Sequence, residues 1–156
     1  MTVKIGLSKK HLDKSINNLT VVLSNEMILY VKLRKFHWNV SGNSFMELHK
    51  LFEEQYNDIE QTIDKVAERI SKLGSKTIGT MQEFIEHATI KECTKYESQE
   101  NMLSELLNDF EAIISSIRKM ISNMEEDSED FGTVDFLTAI MQSHETQSWM
   151  IRKYIS

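Results

Sequence analysis

The sequence predicts an all-α protein: one four-helix bundle whose second and third main helices are joined by a long crossover containing a short helix. Three observations predict it. There is no proline among the 156 residues and there are only five glycines, the two residues that helix interiors tolerate least. Four long stretches carry apolar side chains three and four residues apart, the period of a helix that buries one face. Between the second and third of them, from Gly74 to about Tyr96, that period breaks.

The first main helix is expected from near Ser8 to about Trp38, with Leu12, Ile16, Leu19, Leu23, Met27 and Tyr30 on one stripe and His37 further along it. Leu29, Leu33 and Phe36 form a second stripe, which predicts a further partner such as another subunit. The second helix opens at Ser44-Phe45-Met46-Glu47, read as a capping box. It runs through Leu48, Phe52, Tyr56, Ile59, Ile63, Val66, Ile70 and Leu73 to a left-handed stop at Gly74. Within the crossover, Thr80-Met81-Gln82-Glu83 reads as another capping box, opening a short helix to roughly Ala88. The crossover is long enough to return the full length of a helix, so the helices it joins can run parallel. The third main helix is expected from about Glu97 to Met124, with Leu103, Leu106, Phe110, Ile113, Ile117 and Ile121 inward. An acidic loop over 125–130 follows. The fourth helix starts near Thr133 and buries Val134, Leu137, Met141, His144 and Ile151.

Residues 1–156 are read as a single domain, with 1–8 a short, mildly basic tail. A net charge of −6 disfavours default binding to nucleic acid. The single cysteine, Cys93, excludes an internal disulfide framework and fits the reducing cytoplasm. No signal peptide or membrane-length apolar run is apparent, so the expected location is cytoplasmic.

The chemistry is concentrated between His37 and Glu68. His49/Glu53 and Asp64/Glu68 are both i,i+4 pairs, so each pair lies on one helix face. The fifteen residues from His49 to Asp64 turn through only about 60° but advance ~22 Å, so one straight helix cannot bring both pairs to one metal. The pairs are symmetric about position 58.5. An antiparallel copy of the helix would bring His49/Glu53 against Asp64/Glu68 of its mate, which suggests a site shared between subunits. His37 joins by a separate argument: residues 39–43 read as a helix–helix turn, which sets His37 opposite His49 across the hairpin. Two imidazoles and three carboxylates suit iron, with zinc or manganese as competitors. Taken singly, each residue has a plain alternative as core filler or solvated surface. A centre inside the bundle would use Glu-x-x-His motifs, and none of the five histidines has Glu three residues before it.

These residues carry a resemblance to the Dps-type miniferritins, a ferritin-like family. The matching stretch is His37-Trp38-Asn39, Gly42, Phe45, Leu48-His49, Phe52-Glu53-Glu54, Tyr56 and Asp64-Lys65-Val66-Ala67-Glu68-Arg69. Glu83-Phe84-Ile85-Glu86 and Trp149-Met150-Ile151-Arg152 extend it over nearly the whole chain. The resemblance implies a ferritin-like bundle assembled into a hollow dodecamer, with ferroxidase centres of His37, His49 and Glu53 from one subunit and Asp64 and Glu68 from its neighbour. It implies oxidation of Fe(II), with hydrogen peroxide preferred over dioxygen, and storage of Fe(III) mineral that protects against oxidative damage. Position 53 is commonly Asp in that family, and here it is Glu. Trp38 is expected to act as a redox sink or simply to pack. Asp135 matches an acid of the family's pore motif; Glu129 and Asp130 are added from the local acidity as an expected iron entrance, which the helix N-terminus alone would oppose.

DNA compaction through Lys4, Lys9 and Lys10 is the alternative function. Twelve copies at −6 carry about −72, which repels DNA unless the tails project far outward. DNA binding is therefore expected to be weak or absent.

Overall fold

The computed structural model describes residues 3–127 and 129–156. Helix α1 (Lys9–Asn39) is ~46 Å long. It starts where Ser8 Oγ accepts the His11 amide at 3.2 Å, an N-cap that satisfies one of the free amides of the first turn. Helix α2 (Phe45–Lys72) returns antiparallel to it. Its entry corrects the expected capping box, because Ser44 makes no side-chain cap bond. Its backbone (φ −103°, ψ 28°) is not in the extended conformation of a capping residue. The chain instead turns through Gly42 (φ +116°), whose carbonyl accepts the Phe45 amide at 3.2 Å.

The far end of α2 closes as expected. Gly74 takes φ +90°, its amide reaches the Ser71 carbonyl at 2.9 Å, and the Ser75 amide reaches Ile70 at 3.3 Å. That bond pair is the Schellman closure of a helix. Val3 of the N-terminal tail lies directly over Gly74, leaving no room there for a side chain.

The crossover then runs back along α1. Short helix α3 (Met81–His87) has the reciprocal Thr80/Glu83 capping box. Asn25 fastens the crossover, its Oδ1 accepting the amides of Thr89 (2.7 Å) and Ile90 (3.3 Å). Further on, Lys35 Nζ donates to the carbonyls of Cys93 and Lys95. Helix α4 (Gln99–Asp127) descends parallel to α2, and α5 (Phe131–Ile155) rises beside α1. Ion pairs of Lys32 with Glu105 (2.8 Å) and Asp109 (2.5 Å), and the Lys14–Asn123 bond, set α4 antiparallel to α1. The two parallel helices, α2 and α4, are the ones the crossover joins.

Leu19, Leu23, Leu29, Leu33, Phe36, Phe52, Phe110, Ile113, Ile117, Leu137 and Ile151 form the core. Leu29, Leu33 and Phe36 are fully buried within the single chain. The second stripe of α1 therefore needs no partner subunit, which corrects the expectation above. Among the described residues there is no strand, and no helix is long and apolar enough to cross a membrane.

Ser128 of the acidic loop and Met1-Thr2 of the tail lie outside the described residues. Asp130, at the end of that loop, is the N-cap of α5 and is buried, 3% exposed. It takes hydrogen bonds from Ser15 Oγ (2.7 Å), the Thr133 amide (3.0 Å) and Thr133 Oγ1 (2.6 Å), and an ion pair from Arg69 (3.1 Å). Burial alone would raise its pKa, but the Ser15 and Thr133 bonds and the Arg69 charge prevail and hold it below the usual range. A depressed carboxylate contributes stability that is present above its unfolded pKa and lost as pH falls through the folded one. We expect Asp130→Ala to cost roughly 2–3 kcal/mol at neutral pH, with a smaller deficit in acid. Urea unfolding at a series of pH values checks both. A deficit that grows as pH falls would overturn this account.

Candidate metal centre

His37 ends α1 and His49 lies in the second turn of α2, with the Gly42 turn between them. The hairpin lays one ring on the other, centroids 3.7 Å apart and 19° from parallel. Each ring is oriented by the other residue's backbone. His37 Nδ1 lies 2.7 Å from the His49 carbonyl oxygen, and His49 Nδ1 lies 2.8 Å from the His37 carbonyl. A carbonyl only accepts, so both Nδ1 atoms carry the proton and both Nε2 lone pairs are left for a metal. This backbone orientation of an imidazole is the outer-shell device of metal-binding histidines.

Glu53 is exposed one turn beyond His49. Its Oε1 accepts the Tyr56 hydroxyl at 3.4 Å. Burial, and then the Glu53 charge, push the Tyr56 phenol up, so it remains a donor at neutral pH. Asp64 and Glu68 are exposed on the same helix, with Glu68 paired to Lys72 at 2.9 Å. From Glu53 to Asp64 is about 16 Å along the axis. One subunit thus brings together His37 and His49, with Glu53 one turn further along α2 and joined to His37 through Tyr56, but leaves Asp64 and Glu68 apart from them. Exposed apolar side chains flank the imidazoles along the chain, Trp38 (65% exposed) next to His37 and Phe45 and Met46 one turn before His49, with the Phe45 ring 5.2 Å from that of His49. Of the expected entrance residues, Glu129 and Asp135 are exposed, whereas the Asp130 carboxylate is committed to the start of α5.

Two polar clusters were missed in the sequence. In the bundle centre, Glu26 of α1 meets His144 Nε2 of α5 at 2.6 Å, both essentially inaccessible. Glu26 Oε2 and His144 Nδ1 have no protein partner. A search for Glu-x-x-His along one helix cannot find a pair contributed by two helices. The signal was a carboxylate and an imidazole each falling within an apolar stripe. The second cluster is Cys93, Glu97 and Glu105, whose donor atoms all lie within 4.8 Å of one another. Glu105 there already pairs with Lys32. Burial pushes the Cys93 thiol up, with the Glu105 carboxylate beside it acting in the same direction, which makes it an unreactive thiol.

Comparison with known proteins places this geometry in a family. The ferritin-like domain family matches residues 16–156. The chain is 38% identical over 146 residues to the DNA protection during starvation protein of Brevibacillus brevis, covering 90% of this chain and 97% of that one. It is also 38% identical to an uncharacterized low temperature-induced protein of Nostoc sp., over 98% of this chain and 86% of the relative. The crystal structure of the Dps protein of Vibrio cholerae O1, described as a member of a broad superfamily of ferritin-like diiron-carboxylate proteins, superimposes with a TM-score of 0.93. It is 30% identical and covers 99% of this chain and 97% of that one. With the five helices of its described residues, its crossover and these relatives, the chain belongs to the Dps family of ferritin-like proteins.

Proposed function

We propose that this protein oxidises Fe(II) at centres shared between two subunits and stores the Fe(III) as mineral inside a hollow dodecamer, protecting the cytoplasm against oxidative damage. The observation that carries this reading is the reciprocal clamp of His37 and His49. It leaves two Nε2 lone pairs for a metal, with the exposed Glu53 carboxylate one helical turn from His49. Three donors make an incomplete site, and Asp64 and Glu68 of a two-fold-related neighbour would supply the missing carboxylates. The exposed apolar side chains of Trp38, Phe45 and Met46 support an interface at this place. Iron is the substrate, and zinc and manganese, which accept the same N/O donors, are expected to compete.

Hydrogen peroxide is the preferred oxidant in this reading. Peroxide takes two electrons and each Fe(II) gives one. Two irons held together therefore reduce it with two protons to two waters, without releasing hydroxyl radical. Trp38, in contact with the Arg34 guanidinium at 5.4 Å, is placed to absorb a stray one-electron oxidation; packing is the competing explanation. Glu129 and Asp135 remain the proposed iron entrance, with Asp130 capping the helix start between them. Removing charge at Glu129 and Asp135 should slow iron uptake while assembly stays intact, and unchanged uptake kinetics would retire the idea.

The direct test is titration of the anaerobic protein with Fe(II), followed by addition of peroxide. Rapid oxidation of about two irons per subunit is expected, abolished in His37→Ala/His49→Ala. Equal rates in both proteins would sink the proposal. DNA compaction is the second reading. Val3 folds over Gly74, which holds the adjacent Lys4 near the body of the subunit, and Lys9 and Lys10 lie in the first turn of α1. Gel shifts at low and physiological salt should show weak or no retention, whereas tight, salt-sensitive retention of plasmid would favour the DNA reading.

A further inference from the structure

Tyr56 touches two of the three donors that one subunit contributes. It lies three residues after Glu53, on the same face of α2. Its hydroxyl reaches Glu53 Oε1 at 3.4 Å. The edge of its ring meets the His37 imidazole, centroids 5.3 Å apart at 83°. The ring itself is buried and packed by two neighbours. The Arg34 guanidinium lies 4.5 Å from its centroid, and the Tyr30 ring stands against it at 6.1 Å and 90°. Arg34 in turn is shared with the rings of Tyr30 (5.6 Å) and Trp38 (5.4 Å). One cation among three aromatic faces is a stiff arrangement.

We propose that Tyr56 is a positioning residue of the metal centre, tying the Glu53 carboxylate and buttressing the His37 ring, with Arg34 fixing the tyrosine in turn. This rests on the reading of His37, His49 and Glu53 as metal donors. Glu has one more rotatable bond than Asp, so an unheld, exposed Glu53 would spread its carboxylate over several rotamers. A phenol bonded to Oε1 restricts that spread. It leaves Oε2 and the second lone pair of Oε1 free to accept a metal. The Tyr56 hydroxyl thus fits the long arm at position 53. An Asp there would draw the carboxylate back by about 1.5 Å, one C–C bond, and out of the hydroxyl's reach.

The test is a double-mutant cycle on the assembled protein, read by binding of Co(II). That ion takes the same N/O donors, reports its ligands in its visible spectrum and needs no turnover. Tyr56→Phe removes only the hydroxyl and keeps the ring under Arg34, so assembly should be unchanged. We expect it to weaken Co(II) binding about tenfold, the lower end of outer-shell effects, and to alter the spectrum. In a Glu53→Asp background the same change should do almost nothing. A Tyr56→Phe protein that binds like wild type overturns the inference. So does an equal loss in both backgrounds, which would mark a general packing effect. His37→Ala/His49→Ala is the control for the parent reading. If Co(II) binding survives it undiminished, the metal centre itself is misplaced and both proposals fall.

Discussion

Co-expression of two inactive variants should restore about a quarter of the fast Fe(II) oxidation sites. The first is His37→Ala/His49→Ala and the second is Asp64→Ala/Glu68→Ala. Each alone should fold and assemble, because Asp64 and Glu68 are exposed, His49 is half-buried, and His37, though buried, lies in the last turn of α1 outside the hydrophobic core cluster. Each alone should lack rapid oxidation. A two-fold interface contains two equivalent sites, each combining the histidine half of one subunit with the Asp64/Glu68 half of the other. In a mixed pair, one site collects both damaged halves and the other both intact halves. Random pairing makes about half the dimers mixed, so about one site in four returns. A site built within one chain could not be rescued, since every chain carries damage. Cages shown to be mixed by mass spectrometry that stay inactive would refute the shared site.

His144→Leu alone should destabilise the protein far more than Glu26→Leu and His144→Leu together. The single change leaves the Glu26 carboxylate in the bundle centre without its 2.6 Å partner. Breaking a buried pair from one side costs about 3–5 kcal/mol, which at this chain length is a drop of roughly 10 °C in Tm at fixed protein concentration. Replacing both by leucine removes the stranded charge and fills the space with apolar atoms, which is commonly neutral or stabilising. The double variant should therefore melt near or above wild type. This outcome is expected all the more because Glu26 Oε2 and His144 Nδ1 already lack protein partners, so the native pair is incompletely compensated. Scanning calorimetry decides it. A double variant no more stable than His144→Leu would mean that the pair organises the bundle in a way apolar packing cannot replace.

By itself, the sequence determined whatever depends on neighbours along the chain. The scarcity of glycine and proline and the period of three and four marked out the helices. Ser8, Gly74 and the Thr80/Glu83 box marked three of their ends, where local side-chain and backbone chemistry decides. The short link from Asn39 to Phe45 was enough to set His37 opposite His49, because a hairpin turn leaves little freedom of register. The family, too, was legible in residues 37–69.

Only the tertiary structure decided what depends on how helices rotate and pack across long sequence separations. It showed that the two histidines clamp each other through their backbone carbonyls, so that Nε2 is the free nitrogen of both. It committed the Asp130 carboxylate to the cap of α5, because Ser15 and Arg69, far away in sequence, converge on it. It sealed the second stripe of α1 inside the chain. It also joined Glu26 to His144 across 118 positions. Helical periodicity tells which side chains share a face. Which faces meet, and at what height, is set by packing of the whole bundle.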